Sequence, residues 1–193
     1  MTELIKLVTS NQNKINEYRR FGLPVEAVKG KDIKEVKADS VLVAKYKSLE
    51  VGEKEMVEDT VLVVDGNEVV DIRYRMAEFQ EKSQVKPLKA EWTVTIAMKE
   101  DGLIKMASAT VRGFIGKRSS LSGEDVFGFD DIFYPYGKEK SLHQLEKESI
   151  KDEFSARRLA IVRFIEKDNS SSDGFYKEFL ISKIPKWEGD YQE

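Results

Sequence analysis

Residues 56–64 read MVEDTVLVV, and this run decides the fold class of the chain. Six of its nine residues are large and apolar, which is typical of a buried β-strand. Glu58 and Asp59 interrupt the run, although burying an unpaired charge is unfavourable by several kcal/mol. Two interpretations follow: the acids face solvent at a strand end, or they lie in a site where cations or a metal ion compensate them.

Strand and helix patterns alternate on both sides of this run. The other predicted strands are Leu4–Thr9, Val25–Val28, Trp92–Met98 and Met106–Ile115. The predicted helices are Lys14–Phe21, Ser40–Leu49, Ile72–Gln80 and Ser155–Glu166. An Asp101-Gly102 pair between the last two strands favours an antiparallel hairpin. Together these elements predict an α/β protein with a mixed sheet and helices on its faces.

The overall composition limits the class of protein. The chain has 193 residues, of which 40% are hydrophobic, enough for one domain with a real core. Although 35% of the residues are charged, the formal net charge of −3 argues against nucleic acid as an obligatory partner. The first residues do not form a signal peptide, and no apolar run approaches the roughly 20 residues of a membrane span. These features predict a soluble, cytoplasmic protein with no membrane or nucleic-acid partner.

The cysteine and histidine contents narrow the possible chemistry. The chain has no cysteine, which excludes disulfides, thiolate nucleophiles and zinc–sulfur sites and permits a reducing compartment. His143 is the single histidine, and we interpret it as a surface helix residue. Any catalysis must therefore use carboxylates, lysines and a metal ion.

A first candidate site lies where the first strand meets the first helix, at Thr9-Ser10-Asn11-Gln12-Asn13-Lys14. Ser10 or Asn11 can cap the helix, and the free amides at a helix start attract anions. Lys14, one turn into the helix, can reach a phosphate group. An ordinary helix cap beside a solvated lysine is the alternative interpretation.

Two later segments also carry side chains suited to a site. Residues 127–131 read FGFDD, so that two rings able to stack on a nucleobase stand beside carboxylates able to accept its amino hydrogens. Residues 151–157 read KDEFSAR and place a serine N-cap and two cations at the start of the last helix. The structural alternatives are a tight turn that packs rings into the core and a simple helix cap.

In order and spacing, these motifs resemble those of the inosine triphosphate pyrophosphatase family, also called Ham1-like or RdgB-like proteins. The family's Thr/Ser-x-Asn-x-x-Lys loop is matched by Thr9–Lys14, and its Glu/Asp-Asp-Ser/Thr triplet by Glu58-Asp59-Thr60. Its Phe-Gly-aromatic-Asp loop is matched by Phe127–Asp130, and its Lys-x-x-x-Ser-His-Arg motif by Lys151–Arg157. The resemblance extends over about residues 4–166.

The resemblance implies a fold and an assembly. The fold would be an elongated, curved, mixed β-sheet flanked by helices, in two lobes with a central nucleotide cleft. The protein would be a homodimer. Residues 1–166 would form a single domain of this kind, followed by an extension over residues 167–193.

The resemblance also implies roles for individual residues. Asp59, Glu58 and Lys14 would form the catalytic group, and Glu35 with Asp59 would hold Mg²⁺, the implied cofactor. The substrate, a nucleoside triphosphate, would be bound by Ser10, Asn11, Lys14, Lys45, Phe127, Phe129, Asp130, Lys151, Ser155 and Arg157. Within this set the lysines would grip the triphosphate, and the residues from Phe127 onward, Lys151 excepted, would line the base pocket.

The chain departs from the family pattern at the base pocket. Ala156 stands where the family has a histidine that helps to read the purine. A Pro-Gly element that follows the acidic strand in the family is also missing after Asp65. These differences predict a divergent member with an altered base preference.

From Lys167 onward the composition changes. Residues 169–174 read NSSSDG and predict a flexible link, after which aromatic and charged residues follow. The aromatic residues of this extension could pack over a cleft or a dimer face. A loosely docked extension is the alternative.

Together these observations predict a nucleoside triphosphate pyrophosphohydrolase. It would convert nucleoside triphosphates, ribo or deoxy and non-canonical in base, to the monophosphate and pyrophosphate. The alternative from a different class is a nucleotide-binding sensor or interaction protein that has lost hydrolysis. A third hypothesis is an unrelated α/β protein in which the motifs occur by chance.

Overall fold

The computed structural model describes residues 3–29, 33–70 and 72–192. Its strands are β1 (Ile5–Val8), β2 (Val25–Val28), β3 (Glu55–Val64), β4 (Asn67–Glu68), β5 (Leu88–Glu100), β6 (Leu103–Ile115), β7 (Phe133–Pro135) and β8 (Gly174–Leu180). Its helices are α1 (Gln12–Arg20), α2 (Ser40–Leu49), α3 (Ile72–Val85), α4 (Leu142–Lys147) and α5 (Ala156–Glu166). Two 3₁₀ turns occupy Lys151–Phe154 and Ile181–Lys183.

The strands form one mixed sheet in the order β2-β1-β3-β5-β6-β7, with β4 paired to β3 and β8 to β6. β1 runs parallel to both β2 and β3, and β6 is antiparallel to β7 and β8. Crossover helices between β1, β2 and β3 allow the parallel pairings, because parallel strands cannot be joined by a tight turn. The predicted α/β class, a mixed sheet flanked by helices, is confirmed.

β5 and β6 form the hairpin that the Asp101-Gly102 pair predicts. Both turn residues have positive φ, 52° for Asp101 and 75° for Gly102, as a two-residue type I′ turn requires. Each strand is 13 residues long, longer than predicted. The hydroxyl groups of Thr93 on β5 and Thr110 on β6 form a hydrogen bond of 2.7 Å between the two strands.

The folded chain divides into two compact units. The first contains the described parts of Met1–Thr60, Val94–Ala109 and Arg157–Glu193, and the second contains Val61–Thr93 and Thr110–Ala156. In the first unit a buried cluster lies between α2 and the sheet, formed by Ala44, Val57, Ala97, Ile104 and Met106. Burial of such apolar surface is worth roughly 25 cal/mol per Å² and dominates the stability of a core.

Residues beyond 167 add a strand to the sheet of the first unit. β8 pairs with β6 from Leu103↔Leu180 to Ala109↔Gly174. Phe175, Phe179, Ile181 and Ile184 pack against the buried cluster. The extension is therefore docked on the sheet, an arrangement that its polar start, NSSSDG, did not indicate. Its separation from residues 1–166 as a distinct segment stays a prediction.

The start of β8 tests this docking, because Gly174 lies against the Ser108 carbonyl and the Arg163 guanidinium. A Cβ at Gly174 would collide with both groups, so Gly174→Ala is expected to lower the free energy of unfolding by about 1–3 kcal/mol. Urea denaturation measures the change. Gly52→Ala is the matched control, since its Cβ would meet only the flexible Glu55 side chain. Equal stability of the two variants would contradict the close packing of β8.

The sequence placed His143 on a helix but gave no bounds for α4. This helix is six residues long and begins with a capping box, in which Ser141 accepts from the Gln144 amide and the Gln144 side chain accepts from the Ser141 amide. Such a short helix gives no readable 3.6-residue periodicity. His143, interpreted above as a surface residue, is instead buried on this helix. Among the residues that the structure describes, no helix is long and apolar enough to span a membrane.

Candidate active site

The junction of β1 and α1 is organised by its own polar side chains. The Asn11 side chain accepts hydrogen bonds from the amides of Asn13 and Lys14, at 3.0 and 3.3 Å, and so caps α1. The Asn11 amide in turn donates to Thr9 Oγ1 at 3.1 Å. Ser10 is exposed at the loop surface. The side chain of Lys14 extends from α1 to β3, where its Nζ lies 3.1 Å from Glu58 Oε1.

Glu58 lies at the centre of a buried ionic cluster in the first unit. Arg157 binds it in a bidentate manner, with Nε to Oε2 at 2.9 Å and Nη2 to Oε1 at 2.8 Å. Tyr18 donates its hydroxyl to Oε2 at 2.7 Å, and Thr60 donates to Oε1 at 2.8 Å. With Lys14, which also contacts Oε1, both carboxylate oxygens of Glu58 have at least two donors.

A second buried acid completes this cluster. Glu17 is 3% exposed and forms an ion pair with Arg157 through Nη1, and Arg20 approaches its other oxygen at 3.7 Å. Arg157 therefore joins two carboxylates from α1 and β3 to the start of α5. Because each buried charge has opposite partners within hydrogen-bond distance, the desolvation cost of the cluster is compensated.

The electrostatics of the cluster favour the ionised form of Glu58. Burial raises the pKa of Glu58, but the charges of Arg157 and Lys14 and the hydrogen bonds from Arg157 and Tyr18 hold that pKa well below its usual range. Burial and the neighbouring Glu58 carboxylate raise the pKa of Tyr18 well above its ordinary value. The fully partnered Glu58 carboxylate is thus a weak base.

Asp59, the next residue of β3, has the opposite environment. Successive strand residues point to opposite faces, so Asp59 lies near Ser40 and Lys47 of α2 rather than beside Arg157. Burial raises the pKa of Asp59 and the Glu35 carboxylate adds to this, while a hydrogen bond with Ser40 and the Lys47 charge oppose it. The net shift is upward. The pKa values of these two adjacent carboxylates are therefore shifted in opposite directions, a pattern that separates acid–base roles in enzymes.

Glu35 and Lys47 lie near Asp59, and we call Glu35, Asp59 and Lys47 the acidic site. Lys47 Nζ lies 2.5 Å from Glu35 Oε1 and also donates to the Glu58 carbonyl at 3.3 Å. Glu35 is one-third exposed and Lys47 less so, which places the pair at an accessible edge. The cation closest to the predicted metal ligands is therefore Lys47, which the sequence interpretation missed.

The helical repeat could have identified Lys47. It follows Ser40 by seven residues and Ala44 by three, so all three share one face of α2. Lys45, the predicted phosphate ligand, lies on a different face and stacks over the Phe179 ring, 3.8 Å from its centroid. Burial lowers the pKa of Lys45 at this place.

The acidic pair suits a hard divalent cation. The structure shows no group of three or more His, Cys, Asp or Glu side chains suited to a metal within its described ranges. Magnesium nonetheless needs only one or two carboxylates, because water and substrate phosphate complete its octahedral shell. Glu35 and Asp59 are near enough to interact electrostatically and both keep an accessible surface. These two oxygen donors fit Mg²⁺.

The second unit holds a separate ion pair. Lys151 Nζ lies 2.5 Å from Asp130 Oδ2, and the two residues are only 2% and 4% exposed. Glu146 approaches the same ammonium at 3.6 Å, and the Phe127 ring centre lies 5.5 Å from it. The Asp130 carbonyl accepts from the His143 amide at 2.9 Å, which fixes the loop to α4.

Aromatic packing positions the rest of this loop. Phe129 makes edge contacts with Trp92 and a tilted contact with Phe133, at 5.8 and 5.7 Å between ring centres. Gly128, between the two phenylalanines, has a φ of 59°, which a glycine adopts without strain. Ser155 is buried at the turn before α5.

The predicted site residues thus fall into two groups, one in each unit. The first unit brings Glu58 together with Lys14 and Arg157, and Asp59 together with Glu35. Ser10 and Asn11 lie at the start of α1, and Lys45 lies apart under β8. The second unit contains Phe127, Phe129, Asp130, Lys151 and Ser155. The roles assigned to these residues stay predictions.

Comparison with known families decides the relationship, because the model of the Ham1 family matches residues 5–167. The chain belongs to the Ham1 family. The match covers every motif quoted above and ends where the extension begins, so the relationship predicted from the motifs is confirmed. A search of curated proteins finds no match.

Solved structures of the Ham1 family share the fold. The Ham1 protein of Staphylococcus aureus is 22% identical, with a TM-score of 0.63, covering 86% of this chain and all of that one. A HAM1 protein from Coxiella burnetii is 18% identical, with a TM-score of 0.64, covering 86% of this chain and 98% of that one. A nucleoside-triphosphatase, described as a dITP/XTP pyrophosphatase, from Mycobacterium abscessus is 20% identical, with a TM-score of 0.53 and coverages of 83% and 98%. At these identities the likeness concerns the fold.

Proposed function

We propose that this Ham1-family chain is a nucleoside triphosphate pyrophosphatase, which converts a nucleoside triphosphate and water to the monophosphate and pyrophosphate. The observation that carries the proposal is the contrast between the two neighbouring acids of β3. Glu58 is saturated by cations and hydroxyl donors, whereas Asp59 faces Glu35 and Lys47 with a raised pKa. Perturbed carboxylates with opposite shifts are typical of sites that divide acid–base roles.

Asp59 is the proposed base. Its carboxylate lies near Ser40, Lys47 and Glu35 on the accessible side of β3, where it can take a proton from the attacking water. The water oxygen bonds to the α-phosphorus as the α–β bridging P–O bond breaks, and the bonding electrons leave with pyrophosphate. A magnesium ion held by Glu35 and Asp59 would supply charge that neutralises the phosphate oxygens.

Lys14 and Lys47 supply positive charge beside the acidic residues of the first unit. Both are partly exposed, and each pairs with a carboxylate at 3.1 or 2.5 Å. A polyphosphate that entered would offer them a stronger anion, since charge-assisted bonds to phosphate are short and strong. We assign Lys47, in place of Lys45, to the triphosphate.

Glu58 has a positioning role in this proposal. Its low pKa makes it unsuited to abstract a proton, although the family resemblance places it in the catalytic group. Its carboxylate instead fixes Lys14 and holds Arg157 beside α1. Arg157, predicted to line the base pocket, is 2% exposed, and would have to leave two carboxylates to contact a base.

The second unit supplies the groups proposed to select the base. Phe127 and Phe129 offer ring faces, and Asp130 and Lys151 form a buried polar pair beside them. Ala156 is fully buried where the family has its histidine, so this chain lacks that side chain for reading a purine. A non-canonical nucleotide with an altered base preference is the proposed substrate class; a relative named for dITP and XTP supports the class.

The remaining parts of the proposal come from the family resemblance and the composition. They are Mg²⁺ as the cofactor, a homodimer as the assembly and the cytoplasm as the location, with no nucleic acid or membrane as a partner. The carboxylate pair at Glu35 and Asp59 supports the first of these. The net charge of −3 supports the absence of nucleic acid.

The direct test is a panel of purine and pyrimidine triphosphates, ribo and deoxy, incubated with the purified protein and Mg²⁺. Release of pyrophosphate, without orthophosphate, is the expected result, and the fastest nucleotide defines the base preference. A nucleotide that raises the melting temperature without being hydrolysed would instead support the binding protein. Failure to bind or hydrolyse any nucleotide would refute both.

The two lysines of α2 offer a matched test of the phosphate site. Lys47→Ala is expected to lower kcat/KM for the best nucleotide by about 10²-fold or more, because charge that stabilises the transition state is lost. Lys45→Ala, two residues before Lys47 on the same helix, removes only a contact with the Phe179 ring and is expected to change kcat/KM little. Steady-state kinetics measure both variants. A larger loss in the Lys45 variant would return the role to that residue.

A further inference from the structure

A segment beyond β8 reaches the predicted metal site of the first unit. Residues 184–192, here called the strap, follow the 3₁₀ turn at Ile181–Lys183 and pass over α2. The strap then lies alongside residues 33–37, which carry Glu35. No role for the strap follows from the family match, which ends at residue 167.

The strap is pinned to α2 by an aromatic contact. The Tyr46 hydroxyl donates to the Pro185 carbonyl at 2.8 Å, and its ring packs edge-on against Trp187 with 5.2 Å between ring centres. Trp187 Nε1 donates to the Asp190 carbonyl at 3.0 Å and so bends the strap towards residues 33–37. Trp187 thus connects the helix to the last part of the strap.

The end of the strap hydrogen-bonds to the backbone around Glu35. The Gln192 amide donates to the Glu35 carbonyl at 2.8 Å, and its side-chain Nε2 donates to the Val36 carbonyl at 3.2 Å. In the reverse direction, the Lys37 amide donates to the Asp190 carbonyl at 2.9 Å. These three bonds hold both sides of Glu35 in place.

Hydrogen bonds and packing both connect the strap to this segment. Val36 is buried, at 3% exposed, and its neighbour Glu35 is only partly exposed. A groove of about 670 Å³ beside them is lined by residues of the strap, of α2 and of residues 33–36, Trp187 and Tyr191 among them. Loss of the strap contacts would therefore remove restraints on residues 33–37 from this side.

The side chain of Glu35 points from this backbone into the acidic site. Its carboxylate lies 2.5 Å from Lys47 Nζ and acts electrostatically on Asp59. Glu35 therefore connects the strap to the acidic site. The strap binds the Glu35 carbonyl, and the acidic site contains the Glu35 carboxylate. A ligand of a metal ion is sensitive to the partners that orient it.

We propose that the strap positions Glu35 for magnesium binding, with Trp187 and Gln192 as positioning residues that act through the Glu35 backbone. This inference rests on the proposed function, since it takes Glu35 as a ligand of the ion. It gives the segment beyond the family match a part in the reaction: the strap sets the affinity for Mg²⁺ and leaves the chemical step to Asp59. Loss of an orienting partner lowers metal affinity by about 10- to 100-fold in other metal sites.

The test uses the full chain with Trp187→Ala, which removes the contact with Tyr46 and the bond to Asp190. The Mg²⁺ concentration for half-maximal pyrophosphate release is expected to rise about tenfold or more, while kcat at saturating Mg²⁺ stays close to that of the wild type. Trp187→Phe is the conservative control, because it keeps a ring against Tyr46, and it is expected to restore most of the Mg²⁺ affinity.

Two readouts do not depend on hydrolysis. Hydrogen exchange of the Lys37 amide should become faster in Trp187→Ala, while the amides of β5 and β6 stay protected as in the wild type. A titration with Mg²⁺ alone, followed by the melting temperature, should show weaker stabilisation than in the wild type. If the wild type hydrolysed no nucleotide, the proposed function would fail, yet these measurements would still decide whether the strap supports a Mg²⁺ site.

Either of two results would overturn the inference. One is an unchanged Mg²⁺ dependence in Trp187→Ala although the Lys37 amide exchanges faster; the other is unchanged exchange at Lys37. If Trp187→Ala did not fold, Gln192→Ala would serve, since it removes one side-chain bond at an exposed residue. It should raise the Mg²⁺ requirement in the same direction by a smaller factor, and an unchanged requirement would again refute the role of the strap.

Discussion

Arg157→Met is expected to lower the free energy of unfolding by about 3–5 kcal/mol, as when one partner of a buried ion pair is removed. Methionine keeps much of the volume of the arginine stem but leaves Glu58 and Glu17 without their shared cation. Two carboxylates would then be buried with too little compensating charge. Urea denaturation at neutral pH, with a check that the transition remains two-state, measures the loss.

Two further variants separate charge from packing in this prediction. Arg158→Met, at the exposed neighbouring position, is expected to change the stability by less than about 1 kcal/mol. Adding Glu58→Gln and Glu17→Gln to Arg157→Met removes the unpaired charges and should recover part of the loss. No recovery in the triple variant would show that packing around the guanidinium, not charge, determines the effect.

The pH dependence of stability has an expected sign. In the wild type the pKa of Glu58 is lower when folded than its ordinary value of 4.5, so Glu58 stabilises the protein above pH 4.5. That contribution is lost progressively as the pH falls below 4.5. In Arg157→Met the main cause of the lowering is gone and burial raises the pKa, so mild acidification should stabilise the variant. Denaturation curves at several pH values measure the two slopes.

Asp59→Asn is expected to lower pyrophosphate release by about 10²- to 10⁴-fold, the usual contribution of a general base. Asparagine has nearly the same shape, but it cannot accept the proton of the attacking water and is a weaker ligand of Mg²⁺. The rate of pyrophosphate release at saturating nucleotide and Mg²⁺ measures the effect. Binding of the nucleotide, followed by the melting temperature, should persist.

The neighbouring acids provide the controls for this variant. Glu68→Gln, on the exposed β4 strand, should leave the rate unchanged. Glu58→Gln should instead reduce stability, because Arg157 loses the carboxylate that it binds through two hydrogen bonds in the buried cluster. An Asp59→Asn enzyme with most of its activity, beside an inactive but stable Glu58→Gln enzyme, would exchange the roles proposed for the two acids.

The parts of the fold that the sequence predicted are those with long, periodic apolar patterns. β3 and the β5–β6 hairpin were found because apolar residues and a two-residue turn leave few alternatives. β8 was missed, and α4 was given no bounds although His143 was interpreted as a helix residue. A six-residue helix shows too little periodicity, and the polar run before Gly174 indicated a link and not the start of a strand.

The candidate site was only partly predictable, for a different reason. Local motifs were enough to propose Lys14 at a strand–helix junction and Asp59 within an apolar strand, and their roles stay predictions. The partners of Arg157 could not be read in this way, because Glu58 and Glu17 are 99 and 140 residues distant. The sequence analysis named Lys45 on α2 and did not consider Lys47, although the helical repeat places Lys47 on the same face as Ser40.

The long separation between Arg157 and its partners also affects how the protein folds. The first unit is built from three separate segments, with the residues of the second unit between them. Bringing α5 to α1 and β3 requires closure of large loops, which costs chain entropy before any contact is made. We therefore expect the cluster to form after the transition state, with φ-values near zero for Arg157. Its loss should then accelerate unfolding and leave the folding rate nearly unchanged.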